Sequence, residues 1–296
     1  MGRWQANGLM LLAAVIWGSA FVGQVQGMDG VGPLAFTGLR FLLGAAVVAP
    51  LAWREWQRLR AAGQAPGPRE WRHVALLGGL LTAGVVMQQV GLTATTVTNA
   101  GFLTALYVPL VPLIAWLLHR ESPDWTVWPA AAGCLGGTWL LAGGGSLEIG
   151  TGDAWVIASS LPWALHVLWV GRVANRMRGA YLLACGQFAV CGLLATVAGV
   201  ATEPLSWDGV RIAAGAIAYT GILSVGVAYT LQVIGQRHAA PADAAILLSS
   251  ETLFAALFGA WLMGDRLSGA GLAGCAVILA SILLVQIHPL ITAARR

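Results

Sequence analysis

The stretch LLSSETLFAALFGAWLM (247–263) sets an acid, Glu251, in the middle of an apolar helix pattern with no Lys or Arg on the segment. A carboxylate in such surroundings can meet a cation or carry a proton. Arg40, in FTGLRFLLG, is a cation placed the same way. Two aromatic pairs stand at helical spacing: Trp17 with Phe21, and Trp163 with His166. Residues three or four apart share a helix face, and such a wall can stack a ring and attract an ammonium group. Tyr107 and Tyr219 add hydroxyls to other apolar stretches, while Pro109, Pro112 and Pro162 lie beside these residues as candidate hinges. A proline frees a helix carbonyl and bends the axis.

Composition says what surrounds them. The chain is 58% hydrophobic and 9% charged, with mean hydropathy +0.76, far from soluble globular usage. Apolar runs recur near the ~20 residues that cross a ~30 Å hydrocarbon layer. Ten spans are expected, near 7–27, 33–53, 71–91, 96–118, 125–142, 153–172, 179–200, 210–235, 241–263 and 269–288. They are too long and continuous for barrel strands. The fold class is therefore an all-α integral membrane protein.

Every basic residue is Arg. With the N-terminus inside, thirteen of the 16 fall on the inner side, Arg211 and Arg266 on the outer, and Arg40 within span 2. That bias puts both termini in the cytoplasm. The net charge of +4 thus reports topology, not nucleic-acid binding. Trp4, Trp53, Trp56, Trp71, Trp125, Trp128 and Trp169 gather at the expected inner interface, Trp155 and Trp207 at the outer, as an aromatic belt should. The four cysteines lie inside spans without a CxxC and read as small packing residues. Arg3 followed by GLMLLAAVIWGSA imitates a secretory signal, but the repeat described next needs this segment as its first span.

The spans divide five and five. GPLAFTGLRFLLG (32–44) lines up with GAYLLACGQFAVC (179–191), and QQVGLTATTVTNAGFLT (88–104) with the segment starting near Gln232. This sets Gly91 on Gly235, Asn99 on Asp243, Tyr107 on Glu251, Trp17 on Trp163 and Glu121 near Asp265. The expected units are residues 1–148 and 149–296. Because each holds an odd number of spans, the second enters from the opposite face. An inverted repeat of this kind houses a solute site near the midplane between halves that rock; an old duplication kept for packing is the alternative.

At 1.5 Å per residue Glu251 lies about 15 Å deep. Facing lipid there would cost at least about 2.5 kcal/mol, so it should turn inward and find a partner. Arg40 is the expected one. The pair reads either as a cavity-lining or proton-linked group, or as a clamp between helices. Trp17, Phe21, Tyr107, Trp163, His166, Tyr219 and Glu251 form the candidate cavity set. Core filling is the alternative for the aromatics, a hydrogen-bonded core position for His166 and a purely architectural kink for each proline. Asn99 and Asp243 fall at expected helix starts, where capping is expected.

Five-plus-five spans in about 300 residues, GLRF in span 2 and the ending P-L-x-x-W-L-x-x-R-E from Pro112 to Glu121 resemble the drug/metabolite transporter superfamily, in its EamA-type branch. Within that branch the chain is most similar to the YddG-type exporters of aromatic amino acids. The resemblance implies ten helices around a central cavity and export of amino acids or related metabolites, with no cofactor. Nucleotide-sugar or drug carriage within the same superfamily is the nearest rival. A membrane-embedded enzyme would need clustered metal ligands or a nucleophile with its base, and a channel a filter loop or charged ring; no such motif stands in the sequence. Proton coupling stays open, since one deep acid permits it without requiring it.

Overall fold

The computed structural model describes residues 1–296 apart from 121, 142–143, 145–148, 259–260, 262–267 and 295–296, and apart from the side chains of 98 and 289–294. The expected equivalence of Glu121 and Asp265 lies outside the described residues. Hydrocarbon offers the backbone no hydrogen bonds, so each span must satisfy its own. Among the described residues nine helical stretches are long and apolar enough to cross a membrane, and Val127–Leu141 is a shorter apolar helix.

The first half holds α1 (Arg3–Gly27), α2 (Pro33–Ala61), α3 (Pro68–Gly91), α4 (Val97–Thr104), α5 (Tyr107–His119) and α6 (Val127–Leu141). The second holds α7 (Thr151–Arg176), α8 (Ala180–Thr202), α9 (Trp207–Tyr219), a π-helical segment (Thr220–Tyr229), α10 (Thr230–Gln236), α11 (Pro241–Leu248), α12 (Glu251–Phe258) and α13 (Gly269–Ala294). Proline at the first position starts α2, α3 and α11, where its missing N–H costs nothing. Thr96 and Ser206 cap α4 and α9 with their side chains. Asn99, expected to cap, instead donates its backbone N–H to Thr96 Oγ1 at 3.1 Å. Asp243 pairs with Arg3 at 3.6 Å.

The two halves interlock through their equivalent members. Glu203, just past the end of α8, accepts hydrogen bonds from the backbone N–H groups of Leu34 and Ala35 at 2.9 and 2.8 Å. Glu55, near the end of α2, accepts one from Leu182 N–H at 2.9 Å. Each helix of the α2/α8 pair thus receives a carboxylate at its positive N-terminal end from the other. The pair must run antiparallel. So does α6 with α13, whose glycine-rich stretches meet: a Cβ on Gly274 would stand 2.4 Å from Gly137 O and 2.9 Å from Leu141 N. Equivalent helices in opposite directions are the geometric mark of inversion.

The structure departs from the expected spans in four places. Span 4 is interrupted at Ala105–Leu106 and span 9 at Ser249–Ser250. The hydrogen bonding at both breaks is the same: Leu106 N to Leu103 O and Val108 N to Ala105 O in one, Ser250 N to Leu247 O and Thr252 N to Ser249 O in the other. These i→i−3 bonds tighten the chain into a turn. Span 8 carries the ten-residue π segment, which nothing in its composition announces. Pro162, expected to break span 6, does not: α7 runs on from Thr151 to Arg176. Pro109 falls in the first turn of α5, where it removes no needed donor, and Pro112 is the proline inside that helix.

Removing the reciprocal caps should loosen the α2/α8 pair. Glu203→Ala deletes both bonds to the start of α2 and should cost about 1 kcal/mol, read as a lower Tm in detergent, with Glu55→Ala showing a smaller drop.

Candidate solute cavity

Both interruptions open onto one cavity in the middle of the bundle. Its walls are Trp17, Phe21 and Gln24 of α1, Arg40 of α2, Gln88 of α3, Thr104 and Tyr107 across the first break, Trp163 and Val167 of α7, Ser224 and Tyr229 of the π segment, Gln232 of α10, and Leu248 and Glu251 across the second break. The repeat alignment explains most of this wall. It sets Trp17 on Trp163, Phe21 on Val167, Gln88 on Gln232, Thr104 on Leu248 and Tyr107 on Glu251, and both members of every pair line the space. The free space is about 50 Å³, room for a few water molecules at ~10–15 Å³ each.

Tyr229 is the hub of the aromatic wall. Its ring centroid lies 4.6 Å from Trp17, 5.8 Å from Phe41, 6.0 Å from Phe188 and 6.3 Å from Trp163, the last nearly parallel at 8°. The π segment presents it. Ten residues of widened helix also turn the Ser224 carbonyl toward α1, where Trp17 Nε1 donates to it at 3.2 Å. Tyr107 Oη donates to Ala245 O of the opposite half at 3.3 Å, and Gln88 Nε2 to Thr104 Oγ1 at 2.8 Å. Gly18, beside Trp17, lets α1 approach α12: a Cβ there would stand 2.7 Å from Ala255 N and 2.8 Å from Glu251 O.

Arg40 is 4% exposed. Its Nη2 donates to Gln89 Oε1 at 3.3 Å, and Gln89 in turn donates to Gln24 O at 3.3 Å. The guanidinium rests over the rings of Phe36 and Phe41 at 5.3 and 5.4 Å. The expected Arg40–Glu251 ion pair is not formed: both line the cavity, but no contact within 4.0 Å joins them. They share one cavity without touching across it.

Two more expectations on the cavity set need correcting. His166 is fully buried behind Trp163, ring centroids 6.1 Å apart, with Nε2 on Gln187 Oε1 at 2.9 Å, and it does not reach the lining. Tyr219 is 36% exposed and meets Ser19 Oγ through its hydroxyl at 2.6 Å, also outside the lining. Trp17, Phe21, Tyr107, Trp163 and Glu251 are all in it. Gln24, Thr104 and Gln232 escape the sequence reading, in which Gln88, Ser224 and Tyr229 stand only as unranked polar side chains inside spans. The position pair Gln88/Gln232 in the repeat was the signal available. Among the described residues no group of three or more His, Cys, Asp or Glu could hold a metal.

A membrane-embedded helical bundle with a polar and aromatic cavity at the junction of two equivalent halves defines the class as a multi-pass transporter. The profile of the EamA-like transporter family matches residues 4–143 and again 150–287. The chain belongs to that family. It is 26% identical over 279 residues to an uncharacterized transporter of Archaeoglobus fulgidus, covering 94% of this chain and 85% of that protein. It is 24% identical to the uncharacterized transporter YwfM of Bacillus subtilis, over 95% of this chain and 93% of the relative. With the uncharacterized inner membrane transporter YedA of Escherichia coli K12 the identity is 27%, over 95% and 90%. A solved crystal structure shares the fold with TM-score 0.78 at 21% identity, covering 95% of this chain and 96% of that one.

Tyr229→Ala removes the ring on which four aromatics converge and should cost about 3 kcal/mol or more, seen as a lowered Tm, while Tyr229→Phe keeps the ring and most of the stability. Gly18→Leu should shift α12 and with it Glu251. The check is an accessibility change at a cysteine placed at Thr252.

Proposed function

We propose that the protein is a secondary exporter of amino acids, aromatic or bulky and neutral, working by alternating access in a bacterial inner membrane with both termini in the cytoplasm. The two units are residues 1–148 and 149–296. The observation that carries the reading is the pair of interrupted helices, equivalent in the two halves, whose broken ends meet a ring-lined cavity. Helices interrupted at corresponding places are where transporters with inverted repeats hold their solutes.

The aromatic wall supports a ring-bearing solute, since Trp17, Tyr229 and Trp163 can stack it from two sides. The cavity is narrow, so loading requires the halves to part, and the two breaks are the natural places for that movement. Pro112, close behind the first break, frees a helix carbonyl there, and Pro109 in the first turn of the same helix belongs to the same hinge. An ATP-binding loop is not needed for a carrier run down a gradient. Protons are a candidate partner through Glu251, and a passive facilitator is the simpler form of the same machine.

Purified protein in liposomes should take up labelled L-phenylalanine without ATP, faster than protein-free vesicles. An imposed pH gradient should change the rate only if Glu251 carries a proton during the cycle. Trp163→Ala should raise KM for phenylalanine at least about fivefold while leaving leucine less affected, because stacking is lost. Movement of a nucleotide sugar or a drug, with every amino acid left behind, would replace the substrate class and keep the carrier.

A further inference from the structure

Arg40 and Glu251 pose the same physical problem from opposite halves. Each is a charged side chain deep in an apolar bundle, on the wall of one cavity, with no ion pair between them. Buried charges are ordinarily paired, because an uncompensated one loses its hydration without replacement. Arg40 has one hydrogen bond, to the neutral Gln89, and two aromatic faces. Its Nε, nearest the chain, finds no acceptor. The cavity carries two further unspent polar atoms: Trp163 Nε1 lacks an acceptor and Gln232 Oε1 lacks a donor. A wall with a cation lacking a counter-charge, a carboxyl group lacking a partner, a spare donor and a spare acceptor is built for a solute that carries the opposite set.

The repeat sharpens this. At the place of Glu251 the first half has Tyr107, and at the place of Arg40 the second half has Gln187, which is turned away to His166. A duplicated scaffold that kept one ring in both halves, Trp17 with Trp163, has made its charges single. A symmetric cavity with one positive and one negative pole orients an asymmetric solute. Tyr229, packed on Trp17 at 4.6 Å, shares the wall of this cavity with both Arg40 and Glu251.

We propose that Arg40 and Glu251 are the two poles of a zwitterion site, Arg40 accepting the solute's carboxylate and Glu251 its ammonium group, with the side chain laid against Trp17, Tyr229 and Trp163. Gln89, bound to Gln24 O, holds the guanidinium in place and acts as a positioning residue. The assignment rests on the amino-acid reading of the cavity and adds the polarity with which the solute sits in it. Charge-assisted bonds of this kind are stronger than neutral ones, so removal of either pole should be felt selectively.

The test is counterflow of labelled L-phenylalanine, or of the fastest-moving amino acid in a panel, in proteoliposomes, with competition by the parent, its decarboxylated amine and its deaminated acid. For phenylalanine these are phenethylamine and 3-phenylpropionate. The wild type should prefer the amino acid over each analogue by at least about tenfold. Arg40→Gln should erase the preference over phenethylamine and keep that over 3-phenylpropionate; Glu251→Gln should do the reverse, and Arg40→Lys should fall between wild type and Arg40→Gln. Should a variant fail to fold, thermal stabilisation of the wild type by the three compounds reads the same ranking. A wild type that treats the three alike, or variants that lose all three by one factor, would overturn the assignment while leaving amino-acid transport intact. A panel in which no amino acid moves would remove the amino-acid reading itself, and this assignment with it.

Discussion

A backbone in hydrocarbon has only itself to bond with, and that constraint organises every departure from plain helix in this protein. Where α4 gives way to α5 and α11 to α12, the i→i−4 ladder is broken and the broken groups must face something other than lipid. The residues flanking them, Thr104 and Tyr107 at one break and Leu248 and Glu251 at the other, line the cavity. In the π segment the Ser224 carbonyl takes a hydrogen bond from the indole of Trp17, so this irregular stretch too is tied to a polar group of the interior. Irregular backbone and polar interior are thus one feature seen from two sides.

The reciprocal caps show how the same economy of hydrogen bonds joins the halves. A helix start leaves N–H groups without intrahelical acceptors. Glu203 supplies acceptors to α2 and Glu55 to α8, each reaching across from the antiparallel partner. At the opposite side of the bundle α6 and α13 achieve closeness by lacking side chains, Gly137 against Gly274. One seam is held by charge at helix ends and the other by bare backbone contact. The cavity lies among the other helices and Arg40 of α2, where bulky aromatics and interrupted segments prevent close packing.

Within that cavity the inverted repeat shares some features and withholds others. Ring against ring, Trp17 with Trp163, and amide against amide, Gln88 with Gln232, keep the two halves alike. Glu251 opposite Tyr107 makes them unlike. A carrier that opens to alternate faces gains from similar halves, since the two open forms can then lie close in energy. Recognition of a polar solute gains from dissimilar ones. Under the proposed carrier function, the lining divides these two requirements between residue types.

What the sequence determined alone was the membrane setting, the succession of apolar spans, the duplication, and the equivalence of positions such as Trp17 with Trp163 across the two halves. Hydropathy and repeat spacing read position along the membrane normal, and that coordinate is local in the chain. Direction around each helix axis was not legible. In a membrane bundle the lipid-facing and core-facing surfaces are both apolar, so no hydrophobic stripe tells Tyr229, at the centre of the wall, from Tyr219, ten residues earlier and outside it. The same blindness set Arg40 against Glu251 and drew His166 into the cavity. The helix breaks were hidden for a related reason: Ala105–Leu106 and Ser249–Ser250 are ordinary helix residues, and Pro162, which advertises a break, sits in a continuous helix. Only the packing of neighbouring helices decides where a ladder opens and which side chain it turns inward, because only there are the competing partners present.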